Sequence, residues 1–289
     1  MSWRATVAAT RADGPGPAKS PAGLLRGRVT EARALRAAGD YPVAAARLRA
    51  AIAQAETELG AAAPELVPAL NELGMLGKYS GDHDEAAEAY DRALRICVEH
   101  GKATGADAAA ILHNLGGLAH ARGDAPAAEA LARRGISVRS TLRGADHLVR
   151  ANDDAALAAI LIDLGRFGEA RAILTRVLAA YAQDRPRHQG EIAAALHNLG
   201  SVDFREGRFA EAAGNLRRAA AVKRTVLGRR HPDLAITLYN LACAQRQLGR
   251  AAAARGNLRR AIRILAPAVT PDHPTLAACR HKLEQENLS

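Results

Sequence analysis

Aromatic side chains make up only 3% of this 289-residue chain: one tryptophan, three phenylalanines and five tyrosines. An alanine-rich chain so poor in rings and β-branched residues favours helices over strands. Cysteine is also scarce. Cys97, Cys243 and Cys279 form no Cys-x-x-Cys pair and leave one thiol over from any disulfide scheme, which excludes a disulfide framework and points to a reducing compartment, the cytoplasm. No stretch approaches the roughly 18 to 20 uninterrupted apolar residues of a membrane-spanning helix, and the N-terminus has no apolar signal core, so no membrane partner is expected. Catalytic signatures are missing as well: there is no His-Glu-x-x-His, Gly-x-Ser-x-Gly or Gly-x-Gly-x-x-Gly. Gly14-Pro15-Gly16-Pro17-Ala18-Lys19-Ser20 is a poor phosphate loop, lacking the glycine before lysine and losing backbone donors to its prolines. Neither an enzyme nor a cofactor is expected.

What the chain does have is a period. Glycine returns every 42 residues, at Gly39, Gly81, Gly123, Gly165, Gly207 and Gly249. A fixed interval of this length marks an array of one repeated unit. The frames Gly39-Asp40-Tyr41, Gly81-Asp82-His83, Gly165-Arg166-Phe167 and Gly207-Arg208-Phe209 read as helix-to-helix corners. Glycine ends one helix in the left-handed conformation, and Asp40, Asp82 and Asp124 can cap the next; arginine at the other three corners cannot.

Five residues after each corner stands an alanine: Ala44, Ala86, Ala128, Ala170, Ala212 and Ala254. Four further on a large residue follows, Leu48, Tyr90, Leu174, Leu216 or Leu258, except at Ala132. That spacing puts both on one helix face, the small one admitting a neighbouring helix. A second column, Leu73, Leu115, Leu157, Leu199 and Leu241, lies eight residues before the next glycine and belongs to the first helix of each pair. The combined pattern, Leu-Gly or Leu-Ala, then Gly-Asp/Arg-Tyr/Phe, then Ala with a large residue four on, resembles the tetratricopeptide repeat. The 42-residue unit, with Leu227-Gly228-Arg229-Arg230-His231-Pro232-Asp233 and Asp272-His273-Pro274, resembles the kinesin light chain subclass.

The expected fold is therefore all-α, a right-handed α-solenoid of six tandem helix-turn-helix repeats plus a C-terminal capping helix. Pro64, Pro232 and Pro274 share one column at the start of first helices, with Glu65 and Asp233 at the positive dipole end. Residues 1–22 are read as a disordered leader of mildly basic character, and residues 23–289 as the repeat domain. Its helix pairs are placed at about 24–59, 64–100, 105–141, 147–183, 188–227 and 232–266, with the cap at about 274–287. The cap keeps Leu283 among polar residues, as a terminal unit requires.

Helical spacing also identifies the face of each first helix turned away from the core: Asn71, Met75 and Lys78; His113, Gly117 and His120; Ala155, Ala159 and Ile162; His197, Ser201 and Phe204; Tyr239, Cys243 and Arg246. These stripes outline a groove with polar, partly basic ends and a small, apolar middle. The candidate partner-binding residues are Lys78, His113, Asn114, His197, Asn198, Phe204, Tyr239, Asn240 and Arg246. An asparagine offers both donor and acceptor to an extended peptide backbone. The resemblance implies such clamping, since asparagines at this place in the motif commonly hold ligand backbone. The same asparagines can instead bridge adjacent helices. His113 and His197 lie two repeats apart, too far to share an ion, and no metal site is expected.

Lys and Arg number 40 against 30 Asp and Glu, a net charge of +10. Arg92, Arg134, Arg176, Arg218 and Arg260 recur on the second helices, which reads as a solvated outer face or as a stripe for phosphates. The rings Tyr41, Tyr90, Phe167 and Phe209 sit in packing columns rather than beside these arginines, so nucleic acid is not the expected partner. On the inner side Lys78, Arg205, Arg246 and Lys282 outweigh Glu72 and Asp163, which favours an acidic partner. The expected function is a non-enzymatic scaffold holding a peptide segment or small domain of another protein. Two alternatives stand beside it: a bacterial signalling or transcription sensor module acting in trans, and nucleic-acid binding through the arginine stripe.

Overall fold

The computed structural model describes residues 20–38, 40–144, 146–182, 186–267 and 274–287. The leader residues 1–19, the corner Gly39 and the loop residues Asp272 and His273 lie outside the described residues. Thirteen α-helices and one 3-10 turn, with no strand, make up the described regular structure. They are α1 (Pro21–Ala37), α2 (Tyr41–Leu59), the turn Pro64–Leu66, α3 (Val67–Ser80), α4 (His83–Glu99), α5 (Ala106–Ala121), α6 (Ala125–Ser140), α7 (His147–Asp163), α8 (Phe167–Tyr181), α9 (Gln189–Arg205), α10 (Phe209–Val226), α11 (Pro232–Gln247), α12 (Ala251–Leu265) and α13 (Pro274–Asn287).

The corners follow the expected chemistry with one exception. Gly81, Gly123, Gly165, Gly207 and Gly249 all have positive φ, between 69° and 87°, where a β-carbon is costly. Asp82 and Asp124 accept from the backbone N–H of Glu85 and Ala127 at 3.2 and 3.1 Å. Asp40 has similar backbone angles but makes no side-chain cap hydrogen bond. Arg166, Arg208 and Arg250 make none either.

The proline column also divides. Pro232 opens α11 directly, whereas Pro64 begins the 3-10 turn. Pro68 explains the difference: it has no N–H to reach the carbonyl four residues back, so the Val67 N–H closes the tighter turn onto the Pro64 carbonyl.

The chain divides into two compact units, Met1–Leu118 and Ala119–Ser289. In the first, α1 packs on α2, α2 on α3 and α3 on α4, while α1 also touches α3. In the second, each helix from α6 to α13 packs on the next, and α7 touches α9, α9 touches α11 and α11 touches α13. Even-numbered helices make no such mutual contact among the described residues. Within each unit the odd-numbered helices thus form the closer, inner layer and the even-numbered helices the outer one.

The alanine column is the seam between layers. Ala44, Ala86, Ala128, Ala170, Ala212 and Ala254 are each 0% exposed, and so are Leu48, Tyr90, Leu174, Leu216 and Leu258 four residues on. Glycines in the first helices admit these large partners. A β-carbon on Gly200 would lie 2.6 Å from Leu216 Cγ, and one on Gly77 only 2.8 Å from the Asp82 carbonyl oxygen. The array ends on α13, which buries Leu276 and Cys279 and leaves most of its polar face exposed.

Four buried acids and amides join neighbouring helices, three of them across the two layers, a feature the periodicity did not announce. Asp203 accepts from Arg171 (2.6 Å), Arg208 (3.2 Å) and Asn215 (2.8 Å), and one repeat later Gln245 accepts from Asn257 (2.8 Å). Asp153 is held by Arg139. Glu72, expected on the inner surface, is instead 1% exposed and paired with Arg33 (3.2 Å) and Arg36 (2.6 Å). A carboxylate can be buried there because two guanidiniums satisfy it.

The glycines give a test with opposite signs. Gly256 lies in α12 with nothing within 4 Å of its would-be β-carbon. Gly256→Ala should stabilise the protein by up to about 1 kcal/mol through helix propensity. Gly77→Ala should destabilise it by about 1–3 kcal/mol, because the backbone of the α4 corner stands in the way. Urea unfolding followed by circular dichroism measures both.

Candidate binding groove

In the second unit the inner faces of α7, α9, α11 and α13 enclose a pocket of about 540 Å³. Its apolar side is Ala159, Ile162, Phe204 and Leu216, the last reaching through the space left by Gly200. Phe204 is held edge-on against Phe209, with centroids 5.4 Å apart. Opposite stand the amides Asn198 and Asn240, Tyr239, Cys243, and the cations Arg205 and Lys282.

Asn240 is fixed by a hydrogen-bond chain. The Thr237 hydroxyl donates to the Asp233 carbonyl at 3.0 Å, so toward His197 Nδ1, 3.1 Å away, it acts as acceptor. His197 must then carry its proton on Nδ1, which leaves Nε2 to accept from the Asn240 amide at 3.4 Å. Burial, aided by the nearby charge of Lys223, pulls the His197 pKa down to about 4, so the ring stays neutral and the chain intact near neutral pH. Asn198, one helix over, makes no hydrogen bond among the described residues. One amide is therefore oriented, while its neighbour is not held by any side chain among the described residues.

The charges on this wall are equally specific. His120 Nε2 donates to Asp163 Oδ2 at 2.6 Å, occupying the carboxylate nearest the pocket. Arg205 and Lys282 have no acidic partner among the described residues. Burial pushes the Tyr239 phenol up to about 12 and raises the Cys243 thiol, so both keep their protons near neutral pH.

Of the nine expected site residues, Asn198, Phe204, Tyr239 and Asn240 line this pocket. His197 stands behind it as a positioning residue, and Arg246, further along α11, is not among the lining side chains. Lys78, His113 and Asn114 belong to the first unit. There Asn114 donates to Asn71 at 2.8 Å, a bridge between adjacent first helices. Lys78 is half-buried with its amine over Gly117, and the loss of water lowers its pKa.

The sequence carries three matches to the tetratricopeptide repeat model, at residues 27–97, 107–183 and 191–266. The chain belongs to the tetratricopeptide repeat family. Its TPR array is similar to that of a Podosopora anserina kinesin light chain with nearly identical TPR-like repeats, at 22% identity and a TM-score of 0.58, over 72% of this chain and 97% of that one. The quorum sensor NprR of B. thuringiensis aligns at 13% identity and a TM-score of 0.69, over 90% of this chain and 70% of its own. The Rap conjugation gene regulator of plasmid pLS20, solved in complex with the Phr* peptide, aligns at 17% identity and a TM-score of 0.60, over 76% and 60%. These likenesses show a shared fold. No curated protein matches the chain.

Among the TPR side chains that helical spacing did not assign to the inner face, Thr237 and Leu216 matter most. Thr237 is wholly buried and reads as core, yet it decides the tautomer of His197. Leu216 belongs to a packing column and reaches the pocket only because Gly200 has no side chain. The glycine at position 200 was the available signal.

The histidine makes this wall pH-dependent. Because the folded chain holds His197 near 4 while an unfolded histidine titrates near 6.5, its contribution to stability is complete above about pH 6.5 and is lost as pH falls from there toward 4. His197→Gln keeps a donor and an acceptor but cannot titrate. Its thermal midpoint should fall less between pH 6.5 and 4 than that of the native chain; parallel curves would contradict the buried neutral ring.

Proposed function

We propose that this TPR protein is a non-enzymatic scaffold whose second unit holds a peptide segment of another protein, one that carries acidic residues. The juxtaposition of Asn198 and Asn240 across the α9–α11 groove carries this reading. An open amide beside one whose orientation is fixed by His197 presents donor and acceptor to an extended backbone. The apolar wall of Ala159, Ile162 and Phe204 offers burial for one side chain, and the unpaired Arg205 and Lys282 favour a carboxylate next to it. The Rap regulator, solved with its Phr* peptide, shows that this fold accommodates a peptide. A groove whose thiol and phenol stay protonated, backed by a histidine that orients Asn240, supports binding rather than catalysis.

An array of acidic peptides about twelve residues long, with varied aliphatic and aromatic positions, provides the test. Peptides retained by the native chain should bind Asn198→Ala/Asn240→Ala roughly thirtyfold more weakly, from two hydrogen bonds of about 1 kcal/mol each. Lys282→Glu should weaken them further at low salt. If no acidic peptide binds, or the double variant binds as well as the native chain, the reading is wrong.

A further inference from the structure

The charge of this chain is concentrated in one place. Residues 207–267 hold 13 of the 40 Lys and Arg and only two of the 30 Asp and Glu, Glu211 and Asp233, leaving 27 basic against 28 acidic side chains elsewhere. The whole positive excess thus sits on α10, α11, α12 and their connections.

Repeat register explains why the part of it on α10 and α12 is not neutralised. In the earlier repeats an arginine of the second helix meets an acid 36 residues onward: Arg49 reaches Glu85 at 2.9 Å and Arg133 reaches Glu169 at 2.5 Å. The same register sets Ala253 opposite Arg217. Arg92 likewise pairs with Glu56 at 2.5 Å, whereas its counterparts Arg218 and Arg260 meet Ala182 and Arg224 at the equivalent places. Among the described residues Arg217, Arg218, Arg224, Arg259, Arg260 and Arg263 make no ion pair. Their helices, α10 and α12, belong to the outer layer, on the side away from the peptide groove.

We propose that this outer face docks the phosphate backbone of a nucleic-acid duplex. The six unpaired cations of α10 and α12 are all arginine, and the guanidinium fork matches two phosphate oxygens at once. Arg255, Arg259 and Arg263 step along α12 at four-residue intervals, about 6 Å apart. The rings of this segment are committed elsewhere: Phe209 packs on Phe204, and Tyr239 lines the groove. Single-strand binding relies on stacking against such rings, while duplex backbone does not. A lipid surface fits less well, because Leu258, Ile264 and Leu265 of α12 are buried and the exposed apolar side chains, Val226 and Leu227, stand together at the end of α10 rather than along the arginine rows. Contacts to phosphate alone carry no base sequence, so binding is independent of sequence and steeply salt-dependent.

Fluorescence anisotropy of the full chain with a mixed-sequence DNA duplex of about 24 base pairs, from roughly 25 to 200 mM salt, tests this. Saturable binding at low salt is expected. Arg217→Glu/Arg259→Glu/Arg263→Glu should weaken it at least about tenfold and reduce the salt slope by roughly one for each phosphate left unneutralised. Ala253→Glu restores the missing partner of Arg217 without removing any arginine and should weaken binding roughly two- to threefold. Asn198→Ala, in the groove, should leave it unchanged. Absence of binding at the lowest salt, full binding by the triple variant and by Ala253→Glu, or equal affinity for polyglutamate or phosphatidylserine vesicles would each overturn the proposal.

Discussion

The approach of two helices through an alanine with no accessible surface sets the other dimensions of this protein. At Ala86, Ala170, Ala212 and their equivalents the methyl group is all that separates the inner and outer layers, so the large residue four positions on must fill the space beside the contact. Interiors packed at this density have few alternative arrangements. The glycines opposite, Gly77 and Gly200, follow from the same constraint, since each admits a neighbour that a β-carbon would displace. The corner glycines then turn the chain within two or three residues, and the next pair begins in register.

The inner wall inherits its order from that packing. Leu216 lies in the seam with no exposed surface, yet its far end stands against the pocket; the groove floor here is the rear of a core contact. The polar side is ordered by a different device. Thr237 is buried, its hydroxyl spent on a backbone carbonyl, and this alone decides which nitrogen of His197 carries the proton and how Asn240 is turned. Buried acids are treated likewise: Asp203 gathers two arginines and an asparagine, and Glu72 two arginines, because an unpaired charge at such positions costs several kcal/mol. Charge left over after this pairing is found where the repeat register lacks an acid, on the outer side of α10 and α12.

Much of the fold was legible in the chain because its cause is local and periodic. A small residue at one helix position, a large one four later, and a glycine at the corner are constraints that each repeat must satisfy separately, so they recur every 42 residues. The helix starts were less legible where two local rules compete: Pro64 promises a helix start, but Pro68 denies it the first hydrogen bond. The groove was half visible. Spacing picked out Asn198, Phe204, Tyr239 and Asn240, which line one pocket, and His197, which hydrogen-bonds Asn240, but it read the buried Glu72 as an inner surface charge.

Those differences share one physical origin. The amino-acid sequence by itself determined the helical repeat, the seam residues and the face that each first helix turns from its partner, because these depend on neighbours three, four or 42 positions away. Only the tertiary structure decided which polar side chains are already spoken for. Asn114 is taken by Asn71, Asp163 by His120 and Glu72 by Arg33 and Arg36, while Asn198 stays open. A hydrogen bond or ion pair depends on ångström-scale distance and direction between separate helices, and periodicity carries neither.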